Sequence, residues 1–279
     1  MGLIYTQPQG FAQIDWSNPL GAKVVYASTL AGAAYDAATG KIGVNTAAVP
    51  KVTPRGRALN FNGSSAYITL PTTNLVSGYP ITVSCWFEKT TSVSQIIYSL
   101  NGSGYNAIAG YTPGNLNLSI NGSSNPGNLG YPFASIPAGW NHLVVVHYSG
   151  SFTMYLNGED VTSLTTYSEN WGQPAAGNHS IGQRLGGASA RFFNGGIQDF
   201  IVFRGALSAS EAQQVYQNPR QIFKSQSRRI FVASAGGGVT AALTGQAITA
   251  STGTIAAAVS AALTGQAITA STGTIAAAV

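Results

Sequence analysis

The chain is 279 residues long, carries a net charge of +5 and has only 8% charged residues against 34 glycines. That composition suits one large, turn-rich all-β domain with an appendage, leaves few groups for acid–base chemistry, and lays no basic stripe along the strands to attract nucleic acid. A single cysteine excludes an intrachain disulfide, and no apolar run reaches the roughly 18 residues of a membrane span.

Residues 1–22 are irregular, punctuated by Pro8, Gly10, Pro19 and Gly21. The opening has neither the basic start nor the apolar stretch of a secretion signal, so the expectation is a protein made and assembled in a cytoplasm. The first predicted strand covers 23–30, and the Ala/Gly/Thr-rich segment 31–54 reads as a surface connection holding one short strand. Further strands are predicted at 66–70, 81–88, 95–100, 106–111, 116–120, 142–148, 152–156, 179–183 and 195–203. Such close spacing marks a sandwich of antiparallel sheets. Cys85 keeps phase with Ile81, Val83 and Phe87, which predicts a small core residue.

The segment 139–161, GWNHLVVVHYSGSFTMYLNGEDV, organises the sheet. Leu143, Val144, Val145 and Val146 offer apolar groups to both faces, which sets their strand inside a sheet rather than at its edge. Phe152, Met154 and Leu156 alternate with Thr153, Tyr155 and Asn157, predicting one buried and one wetted face. Asn157-Gly158 is a type I′ hairpin signal, because both central residues need positive φ. Trp140 is expected in the core, His142 and His147 on opposite faces of their strand, and His179 exposed at a loop or strand start. Farther on, Ser208 with Glu211 forms a capping box ahead of a helix over 209–217, which Asn218-Pro219 stops.

Past Pro219 the character changes. Arg220, Lys224, Arg228 and Arg229 crowd one segment, Gly236-Gly237-Gly238 reads as a hinge, and 241–259 and 261–279 are identical copies of AALTGQAITASTGTIAAAV at a period of 20. The sizeable apolar groups of each copy are too few to offset about 1–2 kcal/mol of backbone entropy per ordered residue. The segment is either a low-complexity tail or a β-repeat arm that orders against copies of itself or a partner surface, and the arm is the expectation. The predicted division is 1–235 for a sandwich with its lead-in and 236–279 for an assembly arm, which would make the protein a homo-oligomer or dock it on other proteins.

Three blocks carry a family resemblance. They are Ala58-Leu59-Asn60-Phe61-Asn62-Gly63 with 66–70, Trp140-Asn141-His142 with its valine-rich strand and the Leu156-Asn157-Gly158 turn, and 193–203 with Ala206 to Glu211. In this order, over roughly residues 15–220, they resemble the laminin-G-like members of the concanavalin A-like lectin/glucanase superfamily. Asp15-Trp16-Ser17-Asn18-Pro19-Leu20 resembles the lead-in of phage and prophage versions. The resemblance implies an all-β, antiparallel jelly-roll sandwich with one short helix, here followed by the C-terminal β-repeat arm. It implies no single function, since the fold hosts lectins, adhesion modules, hydrolases and virion proteins.

Glucan-cutting members carry closely spaced carboxylates on one strand, about 5–5.5 Å apart when the mechanism is retaining. The acidic residues here are Asp15, Asp36, Glu88, Glu159, Asp160, Glu169, Asp199 and Glu211. Their one adjacent pair, Glu159-Asp160, follows a turn and points to opposite faces, so no catalytic residue is expected. Calcium is the accessory ion the resemblance implies, with Asp199 as its candidate ligand, although Gln198 stands where a second acid belongs. Sugar binding in such folds uses an aromatic plate and amides, which makes Tyr105, Tyr111, Asn117, Asn170 and Trp171 the candidate ligand-binding residues. The expectation is a non-enzymatic phage virion protein, in head decoration or tail attachment, whose sandwich binds a glycan on the host surface. The alternative is a bacterial cell-surface adhesin module that binds carbohydrate.

Overall fold

The computed structural model describes residues 12–71, 75, 78–90, 95–102, 105–112, 115–121, 127–148, 151–167, 179–184, 191–224, 248–250 and 268–270. The chain divides into two compact units, 1–224 and 225–279.

Strands β1 (Val24–Ser28), β2 (Val44–Thr46), β3 (Val49–Thr53), β4 (Gly56–Asn62) and β5 (Tyr67–Thr69) open the first unit. Next come β6 (Ile81–Lys89), β7 (Gln95–Gly102), β8 (Tyr105–Thr112), β9 (Asn115–Asn121) and β10 (Gly127–Pro132). After these run β11 (Gly139–His147), β12 (Phe152–Leu156), β13 (Glu159–Asp160), β14 (Thr166–Tyr167), β15 (His179–Ile181) and β16 (Asn194–Arg204). Helix α1 (Ala209–Gln217) and a 3-10 turn, Pro219–Ile222, close the unit. One sheet has the order β13-β12-β11-β6-β16-β4-β3, with β1 also on β16. The other has the order β14-β10-β9-β8-β7-β15-β5-β2. This is the predicted antiparallel sandwich.

The valine run sits where its pattern requires. β11 lies between β6 and β12, and β6 lies between β11 and β16. Leu143 and Val145 join Leu59, Phe61, Val83, Cys85, Phe87, Tyr98, Met154, Phe200 and Val202 in the main core. Val144 and Val146 face the other way and pack with Tyr155 and Ala212 of helix α1. Beside them Ile14, Leu20, Val24, Ile201, Phe203, Leu207, Val215 and Ile222 form a second apolar layer. The helix, the 3-10 turn and the segment before β1 therefore cover the outer face of the first sheet. Because of that cover, Tyr155, on the face of β12 expected to be wetted, is buried, while Thr153 and Asn157 stay partly exposed.

The Trp-Asn-His and Leu-Asn-Gly motifs prove to be the two halves of one clasp. Asn157 donates from Nδ2 to Asn141 Oδ1 at 2.9 Å, and its Oδ1 accepts from the His142 amide at 2.8 Å. Asn141 Nδ2 donates to the carbonyls of Pro137 and Gly139. Asn157 and Gly158 have φ of 53° and 87°, the positive values the turn demands. A Cβ at Gly158 would lie 2.7 Å from the Tyr216 ring, so the close approach of helix α1 also requires glycine here.

Trp140 departs from expectation. It is only half-buried, and it lies across Gly196, where a Cβ would meet its ring at 2.5 Å. The residue packs at the strand's start rather than within the core. His179 departs the other way: it begins β15 as predicted, yet it is buried and accepts from the Leu75 amide through Nε2 at 3.1 Å. The segment 31–54 holds two strands rather than one, and β10 forms where the Gly, Asn and Pro content reads as turn. All six β10 positions nevertheless pair with β9. The helix starts as its sequence predicts, with the Ser208–Glu211 capping box formed in both directions.

In the second unit, β17 (Ile248–Ala250) and β18 (Ile268–Ala270) pair in parallel, with Ile248 opposite Ile268. Each residue therefore faces its own equivalent one 20-residue period along.

His142 and His147 occupy opposite faces of β11, bonded through Nε2 to Ser84 Oγ at 2.9 Å and Tyr98 OH at 3.0 Å. Burial lowers both from 6.5 to about 3, and His179 to about 4. Each is neutral when folded and takes up a proton near pH 6.5 when unfolded. The unfolded state then binds more protons below that pH, so stability present above 6.5 is lost as pH falls toward 3. Denaturant unfolding from pH 7 to 5 should show a falling free energy, at up to about 1.4 kcal/mol per pH unit for each histidine. A flat profile would mean that these rings are exposed.

Candidate functional site

The polar side chains buried on the outer face of the first sheet form a connected group. Strand β16 changes partners along its length, pairing with β4 through Ile197 and with β1 from Phe200. Asp199 sits at the switch with a φ of 50°, and the register against β6 shifts between Gln198 and Ile201. Such a bulge re-aims the side chain it carries, and aspartate tolerates the left-handed conformation better than most residues. The Asp199 carboxylate meets Arg220 from the 3-10 turn, with Nε to Oδ1 at 3.1 Å and an NH2 contact to Oδ2 at 2.9 Å. Their side chains are 1% and 8% exposed. Gln198 Nε2 donates to the same carboxylate and Gln198 Oε1 accepts from Thr53, while Arg220 also donates to the Arg55 carbonyl at 2.8 Å.

Arg55 in turn stacks on an aromatic group. Its guanidinium lies 3.5 Å from the Trp86 ring centre, and Tyr216 of helix α1 stacks on Trp86 at 5.7 Å. His142 lies 5.0 Å from Trp86 and 5.6 Å from Tyr216. Burial, opposed by Asp199, holds the Arg55 guanidinium below its usual range. This arrangement docks the helix. The carboxylate proposed for calcium is bonded to a cation of the chain itself, and no cluster of three or more His, Cys, Asp or Glu side chains occurs among the described residues.

The other carboxylates are held one by one. Asp15 accepts from the Ser17 amide and hydroxyl, Asp36 from Ala27, Ala38 and Thr39, and Asp160 from the Thr162 amide. Glu88 binds Lys51 and the Gly196 amide, and Glu211 binds Lys23 and the helix cap. No two of these share a partner, and Glu159 is exposed on the hairpin. Glu169 lies outside the described residues.

Of the predicted ligand-binding residues, Asn170 and Trp171 also lie outside them. Tyr111 pairs with Leu116 and Gly110 with Asn117, so positions 111 and 117 are near neighbours on adjacent strands but opposite in alternation. Tyr105 is at the far end of β8, paired with Gly102. The register thus does not bring 105, 111 and 117 to one point. A different feature went unpredicted: a cleft of about 300 Å³ beside β1, edged by Trp16, Thr39, Pro80 and Arg204 over Val24 and Ile81. Its signal in the sequence was the tryptophan inside the polar, proline-containing turn 15–20.

Replacing Asp199 by asparagine keeps the shape and the tolerance for positive φ but removes the carboxylate charge that faces Arg220. Denaturant unfolding should register a loss of about 3–5 kcal/mol, the cost of breaking a buried ion pair. A loss under about 1 kcal/mol, typical of an exposed pair, would show that solvent reaches the bond.

Comparison with known proteins agrees with the observed architecture. In the solved structures, domain 4 of the GH43 extracellular arabinanase AbnA of Geobacillus stearothermophilus, in complex with arabinotriose, is similar at 22% identity and a TM-score of 0.52. The match covers 70% of this chain and 98% of that one. The binding domain of botulinum neurotoxin serotype D is similar at 15% identity and a TM-score of 0.50, over 72% of this chain. The match spans about half of the toxin domain's length, 53%. No curated protein matches. The Laminin_G_3 family model, described as the concanavalin A-like lectin/glucanases superfamily, matches residues 62–213, more than half of the chain. The chain therefore belongs to the concanavalin A-like lectin/glucanase superfamily.

Proposed function

We propose that the first unit is a non-enzymatic glycan-binding sandwich displayed on a phage virion, and that the repeats after residue 235 serve its assembly. The observation that carries the non-enzymatic reading is the separate engagement of the described carboxylates. Asp15, Asp36, Glu88, Asp199 and Glu211 each close a turn, an ion pair or a cap with partners of their own, whereas glycoside cleavage uses two carboxyl groups set for one bond. Glycan binding draws support from the arabinotriose-bound domain, whose length the fold shares almost entirely. Phage display draws support from the 15–20 lead-in and the duplicated small-residue repeat.

The repeats suit assembly through their register. Strands 248–250 and 268–270 pair in parallel, and a two-stranded sheet retains an outer edge on each strand. Identical copies from other chains offer matching edges, so stacking extends without a new interface type.

Two measurements check this. On a glycan array the purified protein should bind saccharides and release no reducing ends; release abolished by changing Glu159 or Asp199 would overturn the non-enzymatic reading. A chain ending at Ser234 should melt at the same temperature as the full protein but lose oligomerisation and attachment to purified phage particles. Equal assembly by the shortened chain would overturn the role of the repeats, and absence of the full protein from particles would overturn the virion reading.

A further inference from the structure

Among described side chains, Trp16 is the one aromatic in the exposed class, at 51%. An exposed indole loses the burial that ordinarily offsets the ordering of so large a group, yet its backbone is held firmly. Asp15 accepts from the Ser17 amide and hydroxyl and, through its carbonyl, from the Asn18 amide. Asn18 then binds three ways, accepting from the Leu20 and Gly21 amides and donating to the Gln221 carbonyl. A Cβ at Gly21 would lie 2.1 Å from the Asp15 carbonyl oxygen, so the turn closes only on glycine. The fold thus presents Trp16 on a rigid mount.

The cleft that Trp16 edges has the composition of a small-ligand site. Val24, Leu75 and Ile81, all buried, form an apolar floor, while Thr39 and Arg204 stand exposed at the rim. Thr39 donates its hydroxyl proton to Asp36, which leaves the oxygen's lone pairs as acceptors. Arg204 ends β16 and has no ion pair among the described residues, unlike Lys23, Lys51 and Arg220. At about 300 Å³ the cleft falls at the lower end of ligand-pocket volumes and suits one or two rings.

We infer that this cleft is a subsite for a carboxylate-bearing saccharide, with the Trp16 indole under the ring's apolar face and the Arg204 guanidinium on the carboxylate. The inference rests on the glycan-binding reading above and names its site and ligand class. Three groups set the class. An aromatic plate selects a ring with an axial C–H face, an acceptor such as Thr39 selects hydroxyls, and a free guanidinium fork selects a planar carboxylate over a neutral substituent.

Isothermal titration of the full chain with trigalacturonate and sialyllactose, against lactose and arabinotriose, tests it. The acidic probes should bind at least about tenfold more tightly than the neutral ones, a difference of about 1.4 kcal/mol. Trp16→Ala should weaken every probe that binds, and Arg204→Gln the acidic probes alone, with melting temperatures unchanged because both side chains are exposed. Glycan binding on an array that survives both substitutions would overturn the cleft while leaving the glycan reading intact. A preference for the neutral probes would overturn the acidic class. Binding to no glycan on the array would overturn both the glycan reading and the subsite.

Discussion

One buried ion pair fixes how the chain closes over its own sheet. Asp199 is aimed outward by the bulge at which β16 trades β4 for β1, and Arg220 reaches it from the turn just past the helix. Ordinary strand alternation would not place a charge here, and an unpaired carboxylate at 1% exposure would be costly. With the pair made, the 3-10 turn is fixed, and the chain beyond it bridges to the N-terminal segment. Ile14 pairs with Phe223, the Asp15 amide donates to the Ile222 carbonyl, and the Lys224 amide donates to Gln13. Helix α1 is held between that bridge and the Trp86–Tyr216 stack.

Closure of this face has consequences for function. A concanavalin A-like sheet has two surfaces, and in this chain the outer surface of the first sheet is occupied by its own helix and lead-in. On that face Trp86 and Tyr216 stack on each other and dock the helix. The same bridge that closes the face also positions the turn that carries Trp16, since Asn18 reaches the Gln221 carbonyl. Packing and presentation thus share one set of bonds, which links the stability of the outer layer to the geometry of the cleft.

Much of the fold was legible in the sequence because its signals are local. The valine run of β11, the Asn157-Gly158 turn and the Ser208 cap each carry their reason within a few residues. What escaped depends on partners distant in sequence. Tyr155 looked solvent-facing because helix α1, some sixty residues on, covers it. Trp140 looked like core because nothing local shows that its ring rests on Gly196. β10 lacks strand composition and is specified by its neighbour β9. The site was less legible still. The family likeness offers Asp199 as a metal ligand, but the cation beside it is a side chain 21 residues later that no spacing rule identifies. The Asp15–Leu20 segment carries a family likeness in its sequence, but the exposure of its tryptophan depends on the way Asn18 and Gly21 close the loop.

Native-state hydrogen exchange tests the closure directly. The amides of Asp15, Phe223 and Lys224 belong to the bridge, and that of Ala212 belongs to the helix, donating to the Ser208 carbonyl. If one ion pair holds these elements as a unit, all four amides should exchange with a common opening free energy and a common denaturant dependence. Rapid exchange at Asp15 and Lys224 while Ala212 stays protected would show that the lead-in frays independently, and would contradict the claim that the outer layer closes as one piece.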